Sequence, residues 1–231
     1  MTLTEVAYAT DLPKSTALRF LRSLEESGWA VRDKDAVYSL GPSVVGLAAQ
    51  YLSGNPLVTA AAPVMRALRD ELDETVSLSR RIGMIRVCVQ EFSSTQNLRL
   101  VLGIGEEGPL HAGASGILLY AFMSDEDRAA FRETELERYT ARTITDPHEL
   151  EREAATIRRQ GWAITKGQRT KGGVAIAVPI FDPGSSGEVV ALGLFGPELR
   201  CSTQREQKRW LTALQKGAAQ IAETVASNPA V

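Results

Sequence analysis

Residues 10–29, TDLPKSTALRFLRSLEESGW, constrain the fold of this chain more than any other stretch. Asp11-Leu12-Pro13 stops a preceding helical segment, because proline restricts the residue before it and suits the first turn of the next helix. Leu18, Leu21 and Leu24 then recur every three residues, with Ala17 and Phe20 beside them, which predicts a helix with a buried stripe. Between these positions sit Lys14, Ser15, Thr16, Arg19 and Arg22, all hydrogen-bond donors with no acid among them. One anchored apolar face and one short, cationic, hydroxyl-bearing face suit the major groove of DNA. Arg and Lys meet phosphates or guanine edges there, and Ser and Thr meet phosphates.

Gly28 ends this helix. Trp29-Ala30-Val31-Arg32 alternates like a strand, Asp33-Lys34-Asp35 is a polar turn, and Ala36–Leu40 returns. A hairpin at this place corresponds to the wing of a winged helix-turn-helix, with Arg32 on it. The same residues also describe an ordinary surface helix followed by a hairpin, and their spacing does not choose between the two. Charge gives little help: residues 1–41 carry five basic and six acidic side chains, and the whole chain has a formal net charge of −2. The cations are gathered at 14–22, so local polarity must carry any DNA contact. A symmetric dimer would double the phosphate contacts.

The remainder divides near residue 54. Ser43–Leu52 is a short apolar helix with Ser43 as candidate N-cap, and Ser53-Gly54-Asn55-Pro56 breaks it. Val45, Leu47 and Leu52 are too apolar for a free spacer and predict packing on a partner chain or on the second domain. The segments are therefore 1–41, with the candidate winged helix-turn-helix; 42–54, a linker helix; and 55–231. In the last, helices are expected at 57–73, 113–123, 125–134 (capped by Ser124), 147–160 and 203–226. Strands are expected at Thr75–Arg81, Met84–Phe92, Leu98–Ile104, Trp162–Thr165, Val174–Phe181 and Val189–Phe195, with turns at 82–83 and 183–187. The pattern predicts a mixed α/β sheet with its helices on one side.

The block Gly103–Tyr120 is the best candidate for chemistry. Glycines at 103, 105 and 108 lead into His111, and Gly113-Ala114-Ser115-Gly116 opens an apolar helix. Small residues at a helix start leave backbone N–H groups uncovered at the positive end of the helix dipole, a ready site for a carboxylate or phosphate. Tight packing of the helix on a sheet would demand the same small residues. Leu100 and Leu102 share one strand face; Ala175, Gly193 and Phe195 lie on neighbouring strand faces. Enzymatic readings fare poorly: the chain has two histidines, His111 and His148, and no nucleophile elbow, P-loop or zinc motif accompanies them. His111 suits a structural or ligand-orienting role. Cys88 and Cys201 show no metal-ligand spacing. No catalytic residue, metal or cofactor is called, no apolar run reaches the ~20 residues of a membrane span, and the location expected is cytoplasmic.

Three blocks closely resemble the IclR family of bacterial transcriptional regulators. They are LTEVAYATDLPKSTALRFLRSLEESGWAVRD with YSLGP, then GIGEEGPLHAGASGILLYAF at 103–122, then DPHELEREAATIRRQGWAI through GGVAIAVPIFD to VALGLFGPELR at 146–200. The resemblance implies an α+β chain: a winged helix-turn-helix, its first helix missing from this sequence, followed by a GAF- or profilin-like effector-binding domain. It implies a ligand-responsive regulator that reads a double-stranded DNA operator as a homodimer or tetramer through Lys14, Ser15, Thr16, Arg19, Arg22 and Arg32. The effector implied is a small organic acid, aromatic acids included. Its pocket would be formed by Leu100, Leu102, His111, Gly113, Ala114, Ser115, Gly116, Gln168, Ala175, Gly193 and Phe195. Gln168, Ala175 and Phe195 replace acidic, cysteine and small hydroxyl residues of relatives, which predicts a more apolar pocket. The alternative is a sensor or interaction protein that has lost DNA binding. The native protein is expected to begin upstream with an amphipathic helix of about three to four turns, without which Leu3, Val6 and Phe20 lose cover.

Overall fold

The computed structural model describes residues 1–181 and 188–227, so the turn expected at 183–187 lies outside the described residues. The chain forms two compact units, Met1–Gly54 and Asn55–Val231.

In the first unit, α1 (Leu3–Ala9) starts with a capping box in which Thr2 and Glu5 satisfy each other's backbone N–H groups. Asp11 takes φ +52°, and Pro13 leads into α2 (Lys14–Glu26) without a side-chain cap. The inner face of α2 buries Ala17 and Leu21. β1 (Ala30–Arg32) and β2 (Tyr38–Leu40) pair antiparallel. Their turn is held by the Asp33 carboxylate, which accepts the Asp35 and Val37 N–H groups at 2.9 Å each. α3 (Ser43–Gly54) follows and buries none of its residues within this chain. Ser43 does not cap it. It is already the first helical residue, and its hydroxyl donates to the Ser27 carbonyl at 3.1 Å.

The second unit opens with α4 (Pro56–Leu72), capped by Asn55. Its sheet combines β3 (Thr75–Ile82), β4 (Ile85–Phe92), β5 (Glu107–Pro109), β6 (Ala163–Lys166), β7 (Gly173–Phe181) and β8 (Val189–Pro197) in the order β5-β4-β3-β8-β7-β6. The helices are α5 (Ala114–Ala121), α6 (Asp125–Arg132, capped by Ser124), α7 (Pro147–Gln160) and α8 (Gln204–Ser227).

Two expectations are corrected. All five strand pairings are antiparallel, so the sheet is not mixed. Nor do the helices share one side. A Cβ placed on Gly217 of α8 would touch Leu68 of α4 and Leu192 of β8, whereas a Cβ on the adjacent Gly193 would meet the Ser115 hydroxyl of α5. Successive residues of a strand face opposite sides. α4 and α8 therefore cover one face and α5 the other, with α7 behind it. The sequence of β8 required this, because it is buried at every position and a strand with no polar face needs cover on both sides.

The strand expected at Leu98–Ile104 is also absent. Its apolar alternation is genuine, but its backbone is satisfied by side chains. Glu91 accepts the N–H groups of Leu102 and Gly103 at 2.8 and 3.1 Å, and the Thr75 hydroxyl donates to the Leu100 carbonyl at 2.6 Å. Gly103 and Gly105, at φ +91° and +85°, then turn the chain into β5.

Glu151 of α7 gathers the α5–α7 layer. It accepts from the Tyr120 hydroxyl and from Arg158, each at 3.0 Å, with Arg128 at 3.3 Å. Burial acts to raise its pKa, but the hydrogen bonds from Arg158 and Tyr120 and the charge of Arg128 outweigh it, so the carboxyl sits below its ordinary range. A depressed carboxyl pKa stabilises the fold above the unfolded value of about 4.3, and that contribution is lost as pH falls through the folded value. Glu151→Gln should therefore lower the Tm at neutral pH and flatten its decline between about pH 5 and 3. Parallel melting curves for variant and wild type across that range would refute this.

Candidate functional site

A cavity of about 120 Å³ lies over the α5 face of the sheet, roofed by the segment around Leu100–Leu102 and the turn at 167–170. Its wall is the start of α5. Gly113 there has φ +86° and offers no side chain to cap the helix. The N–H groups of Ala114, Ser115 and Gly116 are therefore left for a ligand, at the positive end of the helix dipole. Tight packing fixes this start as well: a Cβ on Gly116 would lie 2.3 Å from the Pro109 carbonyl oxygen. The two readings of the small residues hold together.

Of the eleven effector residues named from sequence, Leu100, Leu102, Gly113, Ala114, Ser115, Gly116, Gln168, Ala175 and Phe195 line this cavity. Gly193 lies beneath it, where the absence of a side chain leaves room for the Ser115 hydroxyl. His111 lies outside the lining, in a neighbouring groove. Its Nε2 is 2.8 Å from the Glu137 carbonyl, and its ring packs against Phe131 and Tyr139. The Gln168 side-chain oxygen is buried without a hydrogen-bond partner.

The sequence reading missed two arginines that line the cavity, Arg86 and Arg169, together with Thr165 and Thr170. The expectation of a more apolar pocket does not account for them. Arg86 is 4 % exposed and donates to the Ser79 hydroxyl at 3.3 Å. Burial pushes its pKa below the usual arginine value. Arg169 stacks on Tyr139, 4.4 Å from the ring centroid, and borders both the cavity and the groove of His111. The alternation of β4 places Arg86 on the same face as Cys88, and only the cover on both faces of the sheet shows that this face is buried. Among the described residues, no Asp or Glu lines the cavity. Both thiols are buried, and burial pushes Cys88 and Cys201 up to about 12, where neither is a nucleophile at neutral pH.

In the first unit, Lys14, Ser15, Arg19, Arg22 and Arg32 are exposed and Thr16 is half-buried. Ser15, Arg19 and Arg22 follow at i, i+4 and i+7, one face of α2, away from Ala17 and Leu21. None of the four cations forms an ion pair among the described residues. Arg19 lies 5.8 Å from the Phe20 ring centroid and Arg32 5.6 Å from that of Tyr38. Phe20 is 53 % exposed and Leu24 37 %.

Comparison with known proteins is consistent along the chain. Residues 1–34 match the model of the IclR helix-turn-helix domain, and residues 49–223 match that of the bacterial transcriptional regulator IclR C-terminal domain. The HTH-type transcriptional regulator KipR of Bacillus subtilis is 33% identical over 79% of this chain and 73% of its own. The crystal structure of the IclR transcriptional regulator from Alicyclobacillus acidocaldarius superposes with a TM-score of 0.82 at 25% identity, covering 96% of this chain and 90% of that one. An IclR homolog from Microbacterium hydrocarbonoxydans, solved in complex with 4-hydroxybenzoate, shares the fold with a TM-score of 0.79 at 24% identity over 98% of this chain and 92% of that one. Such relatives are named as transcriptional regulators and not as enzymes. A matched helix-turn-helix, a matched C-terminal domain and a shared architecture place the chain in the IclR family of transcriptional regulators.

Proposed function

We propose that this chain is a ligand-responsive, DNA-binding transcriptional regulator whose effector is a small organic acid, held with a carboxylate against the start of α5. The observation that carries the reading is the cavity wall: an uncapped helix start beside Arg86 and Arg169, with no acidic residue among the described residues that line it. An engineered cavity of ~150 Å³ holds a benzene ring, so about 120 Å³ fits a compact acid with one ring at most. In this reading Lys14, Ser15, Thr16, Arg19, Arg22 and Arg32 face an operator in the cytoplasm. The exposed apolar side chains of α3, Val45, Leu47 and Tyr51, support assembly as a homo-oligomer. The acid regulates only by binding one arrangement of that assembly better than another, since equal affinity for both shifts nothing.

Thermal melting tests the effector. 4-Hydroxybenzoate and smaller acids serve as probes, each beside its amide or methyl ester. A bound acid should stabilise the second unit by RT ln(1 + [L]/Kd), about 2.7 kcal/mol at a hundredfold excess over Kd, and the neutral analogue should not. Ser115→Leu should abolish the shift. Equal stabilisation by acid and amide would overturn the carboxylate reading.

A further inference from the structure

The charge of the cavity exceeds what one carboxylate can neutralise. Arg86 is the clearest case: its guanidinium is buried against a neutral Ser79 hydroxyl, and no carboxylate pairs with it among the described residues. A buried charge without a counter-ion is costly unless something supplies one. Arg169, of the same sign, borders the same cavity and acts against it. Glu106 and Glu91 act on Arg86 through space, but neither forms an ion pair with it among the described residues, and Glu91 is committed to the N–H groups of Leu102 and Gly103. The position is also built. A Cβ on Gly108 of β5 would lie 2.3 Å from the Arg86 guanidinium, so a glycine at this point is what lets the group lie along the strand and reach the cavity.

Resting on the carboxylate reading above, we propose that the effector is a dianion: a compact dicarboxylic acid whose first carboxylate meets the α5 start and whose second is held by Arg86. An acid placed only at the helix start, worth about half a positive charge, leaves Arg86 without a carboxylate paired to it. A second carboxylate supplies the missing counter-charge through a charge-assisted, forked pair. The cavity volume of about 120 Å³, set against ~150 Å³ for a benzene site, limits the chain to about four to six carbons.

The test measures calorimetric Kd values of the full chain for succinate, glutarate and adipate, each beside the monocarboxylic acid of the same length. The best diacid should bind at least about tenfold more tightly than its monoacid, the size of one charge-assisted hydrogen bond. Arg86→Gln should collapse that ratio towards one, whereas Arg86→Lys should retain part of it. Equal affinities of diacid and monoacid in the wild type would overturn the proposal without touching the carboxylate reading, as would an undiminished preference in a folded Arg86→Gln protein. If Arg86→Gln does not fold, the wild-type ratio and Arg86→Lys decide. Failure of every acid to bind would refute the carboxylate reading itself, and this proposal with it.

Discussion

Arg19→Ala should weaken binding to the operator by about 1–3 kcal/mol for each copy of the chain, if the side chain reads a base edge. In a symmetric dimer the loss enters twice, which is enough to abolish retention at physiological salt. Arg19 stands on the exposed face of α2 with no ion pair among the described residues and only the exposed Phe20 ring beside it, so the change should remove the proposed DNA contact and little packing. Lys14→Ala should behave differently. A phosphate contact weakens all sequences alike and reduces the slope of log K against log[salt] by about one. Fluorescence anisotropy on an operator recovered by binding-site selection, and on a scrambled duplex, separates the two. If neither substitution changes affinity at low salt, α2 is not the reading helix, and the reading of a protein without DNA binding gains.

The second large effect concerns Glu74, a carboxylate only 2 % exposed. Arg200 pairs with it through Nε and, at 2.8 Å, through a second nitrogen, and the same guanidinium reaches the Leu98 carbonyl at 3.0 Å. Arg200→Met should destabilise the second unit by about 3 kcal/mol, the lower end expected when one partner of a buried pair is removed. Because Leu98 belongs to the segment that brings Leu100 and Leu102 to the cavity, effector affinity should fall as well. Glu74→Gln with Arg200→Met should recover most of the stability, since no uncompensated charge remains, but not the affinity, because the contact to Leu98 is still missing. Chemical denaturation of the single and double variants checks the first part and calorimetry the second. An additive double variant would show that the pair is not the cause.

What the sequence made legible was local. α2 and its hairpin could be read because their cues, Pro13, the leucine spacing, Gly28 and the Asp33–Asp35 turn, act within a few residues. The helix at 147–160 was placed for the same reason, with Asp146-Pro147 at one end and Gly161 at φ +78° at the other. Failures arose where a distant residue decides. Leu98–Ile104 has the alternation of a strand, and only Glu91 and Thr75, both on other elements, show why it is not one. Arg86 in an alternating strand reads as solvent-facing until the sheet is seen to be covered on both sides. His111 sits within the right motif, but the turn after Pro109 directs it to the Glu137 side of the wall and away from the cavity.

That same misread segment has a kinetic consequence. A strand leaves a sheet only by breaking its ladder as a unit, whereas Leu98–Gly103 is tethered by separate bonds from Thr75, Glu91 and Arg200. Each bond can open and re-form alone for about 1–3 kcal/mol. In the ranking of opening free energies across this unit, the roof of the cavity therefore stands well below the β3–β8 centre. Solute exchange with the interior can then proceed by fraying of this one edge while the sheet beneath stays closed.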